Sequence, residues 1–253
     1  MIGFRLTDSV KHLLIINILI FVGVQLLGNS YPLYEWFSAF FPLNDNFKLW
    51  QPLTHMFMHG DQNHIFSNML MLFFIGPIVE MGLGSKRFLF LFISAGLGGL
   101  LLTYLIDFIQ FQMALNDLLN AGFSKVEVFE LIKERKYALS WQEVLSQNEL
   151  KHLVGNYNTT LVGASGSITG ILAVLGLMYP NRELQMIFPP IRLKVKYLVV
   201  GLIGSDFISA LLTGTPLLGQ SNIGYVAHVG GAITGALIFW FWKKNSMNKY
   251  RWN

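Results

Sequence analysis

Six long apolar runs alternate with polar connections along the chain, at about 12–29, 64–82, 88–106, 161–180, 197–216 and 223–242. None carries the polar face that a helix on the surface of a soluble protein needs. Phe88 to Ile106 is a run of 19 uncharged residues between Arg87 and Asp107. Roughly 20 apolar residues at 1.5 Å each cross a bilayer core of about 30 Å. The pattern therefore predicts an all-α, polytopic membrane protein with six transmembrane helices. Residues 1–253 form a single membrane domain in this reading.

The connections are not alike. Ser30 to Asn63 is rich in rings, with Tyr34, Trp36, Phe40, Phe41 and Trp50 among them. Tyr and Trp favour the headgroup level, so this loop is expected in the membrane interface, or around a small aromatic core of its own, or both. The connection from about Asp107 to Thr160 is long and reads as a helical insert over 108–158, between the third and fourth spans. Ser124-Lys125-Val126-Glu127 and Ser140-Trp141-Gln142-Glu143 both match a capping box. Phe123/Val128 and Leu139/Val144 are placed as hydrophobic staples. The insert holds six acids and five bases and projects no strong field. Its simplest role is a structural cap, with substrate gating or partner docking as the alternative.

Composition supports the membrane reading: 53% of residues are hydrophobic and only 13% charged, against about a quarter charged in soluble domains. With the N-terminus inside, twelve of the 18 Lys and Arg residues fall in inside connections and at the two ends. This bias predicts that both termini are cytoplasmic. The net charge of +4 is then a topology signal and predicts no nucleic-acid partner. There is no Cys, which excludes disulfides and thiol catalysis. The first apolar run lacks a convincing small-residue cleavage site and reads as a retained span rather than a signal peptide. No targeting presequence is recognised, which favours a bacterial inner membrane.

The candidate chemistry sits near the outer ends of three spans. Ser165 lies among Gly163, Ala164 and Gly166 at the head of the fourth. Small residues there usually serve helix packing. Gly166/Gly170 and Gly231/Gly235 form two GxxxG faces that would bring spans four and six together. If span four begins near Leu161, Ser165 is about 6 Å down the helix, and His228 in span six sits at nearly the same depth. A Ser and a His so placed can act as nucleophile and base. No Asp or Glu lies near His228 in sequence, so a dyad is expected rather than a triad. His64 and Asn68 are four apart on one face of span two. They could donate, with the Ser165 amide, to the oxyanion of a tetrahedral intermediate. His55, His59 and His64 could instead hold a metal, but the His-Glu-x-x-His signature is absent, and no metal or other cofactor is predicted. Asp206, halfway along span five, costs roughly 2.5–3.5 kcal/mol to insert. It reads first as a helix–helix hydrogen-bonding group and second as a functional one.

These residues also carry a resemblance. Trp50-Gln51-Pro52-Leu53-Thr54, Met58-His59-Gly60, His64 with Asn68, Gly163-Ala164-Ser165-Gly166 and Ala227-His228-Val229-Gly230-Gly231 occur in the order seen in rhomboid intramembrane serine proteases. The chain resembles that family over all but the 108–158 insert. The resemblance implies a six-helix rhomboid-like bundle, a Ser165–His228 dyad, and an oxyanion site of His64, Asn68 and the Ser165 N–H. His59, Gly163, Gly166, Thr169 and Gly231 would support that site. It further implies that water reaches the dyad from outside, and that Gly214 to Ser221 forms a mobile cap. Substrates would be single-span membrane proteins with unstable helix tops and small residues at the cut.

Three features depart from the family pattern. Thr169 stands where many rhomboids carry an aromatic ring stacked on the histidine, so His228 must be held differently. Trp50-Gln51 replaces the frequent Trp-Arg. The insert is absent from compact members. A catalytically silent rhomboid-like protein that binds membrane helices is the competing reading, but such relatives usually lose the Ser or the His. A transporter would place its polar groups near midplane, and here they cluster toward one face. The sequence does not specify oligomeric state.

Overall fold

The computed structural model describes residues 6–28, 32–185, 192–212 and 224–248, without the side chains of 185, 209–212 and 246–248. In chain order the helices are α1 (Asp8–Leu27), α2 (Leu33–Phe37), α3 (Gln51–Thr54), α4 (Gln62–Leu83), α5 (Ser85–Asn120), α6 (Lys125–Lys133), α7 (Gln147–Asn158), α8 (Ser165–Met178), α9 (Val195–Leu212) and α10 (Gly224–Asn248). Two short antiparallel ribbons join them. Strand β1 (Ala39–Phe40) pairs with β2 (Thr160–Leu161), and β3 (Glu183–Gln185) pairs with β4 (Arg192–Lys194). The protein is a helical membrane bundle.

Helices α1, α4, α5 and α10 are long and apolar enough to cross a membrane. Helix α8 has 14 residues and α9 has 18, so length alone does not establish the expected count of six spans. The expected end of span five at 216, the expected start of span six at 223, and the expected cap Gly214–Ser221 lie outside the described residues.

Several boundaries differ from the sequence reading, each for a local reason. Span four was expected from 161, but Thr160 and Leu161 are drawn into β2 and the helix begins at Ser165 itself. Span three was expected to end at 106, but nothing after Asp107 breaks the helix, and α5 runs 36 residues to Asn120. It stops where Gly122 takes φ +94. There Phe123 N–H reaches the Leu118 carbonyl and Gly122 N–H the Leu119 carbonyl, at 3.1 and 3.0 Å, which is a Schellman ending.

Ser124 does start α6 but makes no side-chain cap, and Ser140 falls inside a 3₁₀ turn over Leu139–Glu143. The working capping box is Ser146 with Glu149, at the head of α7. Another cap comes from far away in sequence. Glu80, in the last turns of α4, accepts from the Ser9 and Val10 amides, the Thr7 hydroxyl and the Ser85 hydroxyl. Its carboxylate thereby satisfies the open N-terminus of α1.

Two cores result. The larger is built from α1, α4, the first half of α5 and α8, around Leu72, Ile75, Phe88, Phe92, Ile171 and Val174. The second lies in the insert, where Phe111, Leu115 and Leu118 of α5 meet Val128, Ile132, Trp141, Leu153 and Tyr157. Phe41 also belongs to it, so part of the aromatic first connection is buried, while Trp36 and Trp50 stay exposed. The small-core reading of that loop therefore holds for Phe41.

The two GxxxG faces do meet. A Cβ on Gly231 would overlap the Gly166 carbonyl, one on Gly235 the Gly170 carbonyl, and one on Gly99 the Ala227 carbonyl. Helices α5, α8 and α10 thus touch backbone to backbone, and this contact sets the positions of Ser165 and His228.

Candidate active site

Helix α8 is about 21 Å long at 1.5 Å per residue, against about 30 Å for a bilayer core. The helix is thus shorter than a bilayer core, and strand β2 of the β1–β2 ribbon lies just before it in the chain. Ser165 is its first residue. The first intrahelical acceptor above it is Ala164, whose carbonyl takes the Ile168 amide at 2.9 Å. The amides of Ser165, Gly166 and Ser167 precede that bond and are the open donors of a helix N-terminus, which favours negative charge.

Ser165 opens on a cavity of about 880 Å³. His228, His64, Asn68, Gly163, Gly166, Thr169 and Asp206 line the same cavity. The sequence-predicted residues from α4, α8 and α10 therefore converge. Gly231 lies behind them in the α8–α10 contact, and His59 does not line the cavity.

Gly163 has φ +112, and a Cβ there would overlap the His64 ring. Its N–H donates to the His55 carbonyl at 2.9 Å. Only glycine combines this backbone conformation with that close approach. Helix α4 starts at the Asp61 cap, which accepts the His64 amide at 2.9 Å. One turn on, Asn68 is 6% exposed, and its Nδ2 is buried with no hydrogen-bond partner among the described residues. Buried amide donors are nearly always paired, so an unpaired one on a residue that lines this cavity is equipped to receive an acceptor.

His55 and His59 do not converge as ligands. His55 Nδ1 contacts the Gln51 and Pro52 carbonyls at 3.3 and 3.0 Å. The His59 ring is buried edge-on to His64, with centroids 5.1 Å apart. Burial pulls both imidazoles down to about 4, and for His59 the neighbouring His64 adds to the effect. The described residues contain no cluster of three or more potential metal ligands.

The expectation that His228 lacks a carboxylate neighbour does not hold. Its Nδ1 lies 2.8 Å from Oδ2 of Asp206, reaching across from α9. Sequence proximity could not reveal this, because the two residues are on different helices. The available signal was the cost of a carboxylate halfway along an apolar run, which calls for a polar partner on a neighbouring helix. The Thr169 hydroxyl donates to the backbone carbonyl of His228 at 3.0 Å. Thr169 thus fixes the His228 backbone and Asp206 contacts its ring.

The Rhomboid domain family model matches residues 46–127 and 134–245. The chain belongs to the rhomboid family. The unmatched stretch between the two segments, 128–133, falls in α6. RHOMBOID-like protein 12, mitochondrial, of Arabidopsis thaliana is 25% identical over 247 residues, covering 96% of this chain and 60% of that protein. Rhomboid protease AarA of Providencia stuartii is 28% identical over 192 residues, 75% of this chain and 54% of its own. Rhomboid protease GlpG of Salmonella newport is 32% identical over 83 residues, 32% of this chain and 30% of its own. The chain spans little more than half the length of the first two rhomboid relatives. Family membership and the apolar helices make it an integral membrane protein.

Proposed function

We propose that this rhomboid is an intramembrane serine endopeptidase that cleaves single-span membrane proteins near the outer membrane face. The observation that carries the reading is the convergence of Ser165, His228, His64 and Asn68, from three helices, on one cavity at the head of α8.

In the first step Ser165 Oγ bonds to the scissile carbonyl carbon while its proton passes to His228 Nε2. The carbonyl electron pair moves onto oxygen, where Asn68 Nδ2, His64 and the Ser165 N–H donate to it. Collapse of this intermediate breaks the C–N bond, and the leaving amine takes the proton from Nε2. Water then attacks the acyl ester through the same base, restoring Ser165. The unpartnered Asn68 amide supports its assignment as an oxyanion donor.

The positive-charge bias supports both termini being cytoplasmic, with the cavity opening on the other side of a bacterial inner membrane. The insert over 108–158 then lies outside the cytoplasm, as part of a single membrane domain of six spans.

The test follows cleavage of a single-span test substrate in lipid by wild type, Ser165→Ala and His228→Ala. Cleavage near the outer edge of the substrate helix, lost in both folded variants, supports the reading. If wild type neither cleaves nor labels Ser165 with a serine-directed phosphonate, the reading falls, and a silent helix-binding rhomboid replaces it.

A further inference from the structure

We infer that Asp206 is a positioning residue that completes a Ser165–His228–Asp206 arrangement by setting the tautomer and orientation of His228. The inference rests on the protease reading above. Its structural basis is the 2.8 Å approach of His228 Nδ1 to Asp206 Oδ2 across the α9–α10 contact. The two side chains are 24% and 21% exposed, so the pair is largely withdrawn from solvent while still lining the cavity.

The tautomer follows from the donor and acceptor inventory. An ionised carboxylate only accepts, so the Nδ1 facing it must carry the proton. A neutral ring protonated at Nδ1 has its lone pair on Nε2, which is the form able to take the Ser165 proton. When Nε2 becomes protonated, the ring carries a positive charge, and the same carboxylate stabilises it. Asp206 loses and gains no proton in this cycle. The Nδ1 proton stays between the two residues while Nε2 does the transfer.

The position of Thr169 makes the need for such a partner concrete. Thr169 reaches only the His228 carbonyl and the Gly166 carbonyl. It fixes the backbone of α10 and offers the ring nothing. Helix α8 has no ionisable side chain between Ser165 and Met178. The ring's orientation therefore depends on groups from other helices, and Asp206 is the one in contact with Nδ1.

A plain helix–helix hydrogen bond and a positioning carboxylate predict different outcomes for Asp206→Asn. The amide keeps the shape and can bond Nδ1 through either its N–H or its oxygen, which preserves a packing bond but no longer fixes the tautomer and removes the negative charge that stabilises the protonated ring. Cleavage kinetics and phosphonate labelling of Ser165 are measured in lipid for wild type, Asp206→Asn and Asp206→Glu, with thermal unfolding of each. The expected result for Asp206→Asn is a kcat lowered about 10²–10⁴-fold at nearly unchanged KM and unfolding temperature, with partial recovery in Asp206→Glu. An Asp206→Asn protein with wild-type kcat overturns the inference and leaves the protease reading standing. Wild type that neither cleaves nor labels overturns both. Nitrogen NMR of histidine-labelled wild type provides an arm free of any folding defect. A His228 signal of the Nδ1-protonated form supports the inference, and one of the Nε2-protonated form overturns it.

Discussion

The hydroxyl of Thr169 donates to the backbone carbonyl of His228 at 3.0 Å, from one side of the glycine-lined α8–α10 contact to the other. A residue that departs from the usual family aromatic thus still acts on the histidine, through its backbone. A neutral hydrogen bond of this kind is worth about 1 kcal/mol net. Thr169→Val is expected to lower cleavage about fivefold, while Thr169→Ser, which keeps the donor, stays near wild type. Initial rates on a single-span substrate decide it. Equal rates for the two variants would show that the bond does not matter to turnover.

Gly163 couples backbone conformation to the His64 ring. Its φ of +112 disfavours any side chain, and a Cβ would displace the imidazole. Gly163→Ala is expected to lower kcat about 10²–10³-fold, the usual cost of one oxyanion donor. Phosphonate labelling of Ser165 should slow in parallel. Retention of full activity would remove His64 from the oxyanion site.

Gln51 holds the first connection together from inside. Its Oε1 accepts from the Phe40 and Lys48 amides at 3.3 and 3.0 Å, and its Nε2 donates to the Glu35 and Asn46 carbonyls at 3.1 and 3.0 Å. Gln51→Ala strands these groups and should cost about 2–4 kcal/mol. Gln51→Arg should also destabilise, because guanidinium has no acceptor for the two amides. Thermal unfolding in detergent tests both. A stabilised Gln51→Arg would mean the loop can re-form around arginine.

Acid should loosen the fold through His55 and His59. Both rings are buried, and their folded-state values near 4 lie below the ordinary 6.5. The unfolded chain therefore takes up protons first as pH falls. The stability these neutral imidazoles provide is complete above 6.5 and is lost between 6.5 and 4. Each is expected to remove about 3 kcal/mol by the lower end. Unfolding temperature against pH measures it, and His59→Gln should flatten the slope. An unchanged slope in that variant would show that His59 is not the titrating group.

Much of this architecture was legible because membrane helices announce themselves by length and apolarity. The runs around 12–29, 64–82 and 88–106 correspond to α1, α4 and α5. Ser165, His64, Asn68 and His228 were legible as polar groups concentrated toward one end of apolar runs, and the glycine faces foretold which helices would touch. What remained hidden depends on tertiary proximity. Glu80 caps α1 from about 70 positions away, and no local motif signals such a contact. Asp206 was visible as a costly carboxylate, but its partner required knowing how α9 packs on α10. The capping-box motif misled at Ser140 because the chain there winds into a 3₁₀ turn. At Ser146 the same motif does close.

Helix α5 belongs to both cores. Near its middle, Gly99 presses on the Ala227 carbonyl, one residue before His228, and its far half supplies Phe111, Leu115 and Leu118 to the insert. No proline interrupts the rod between these places. One unbroken helix thus joins the packing of the insert to the backbone beside the histidine.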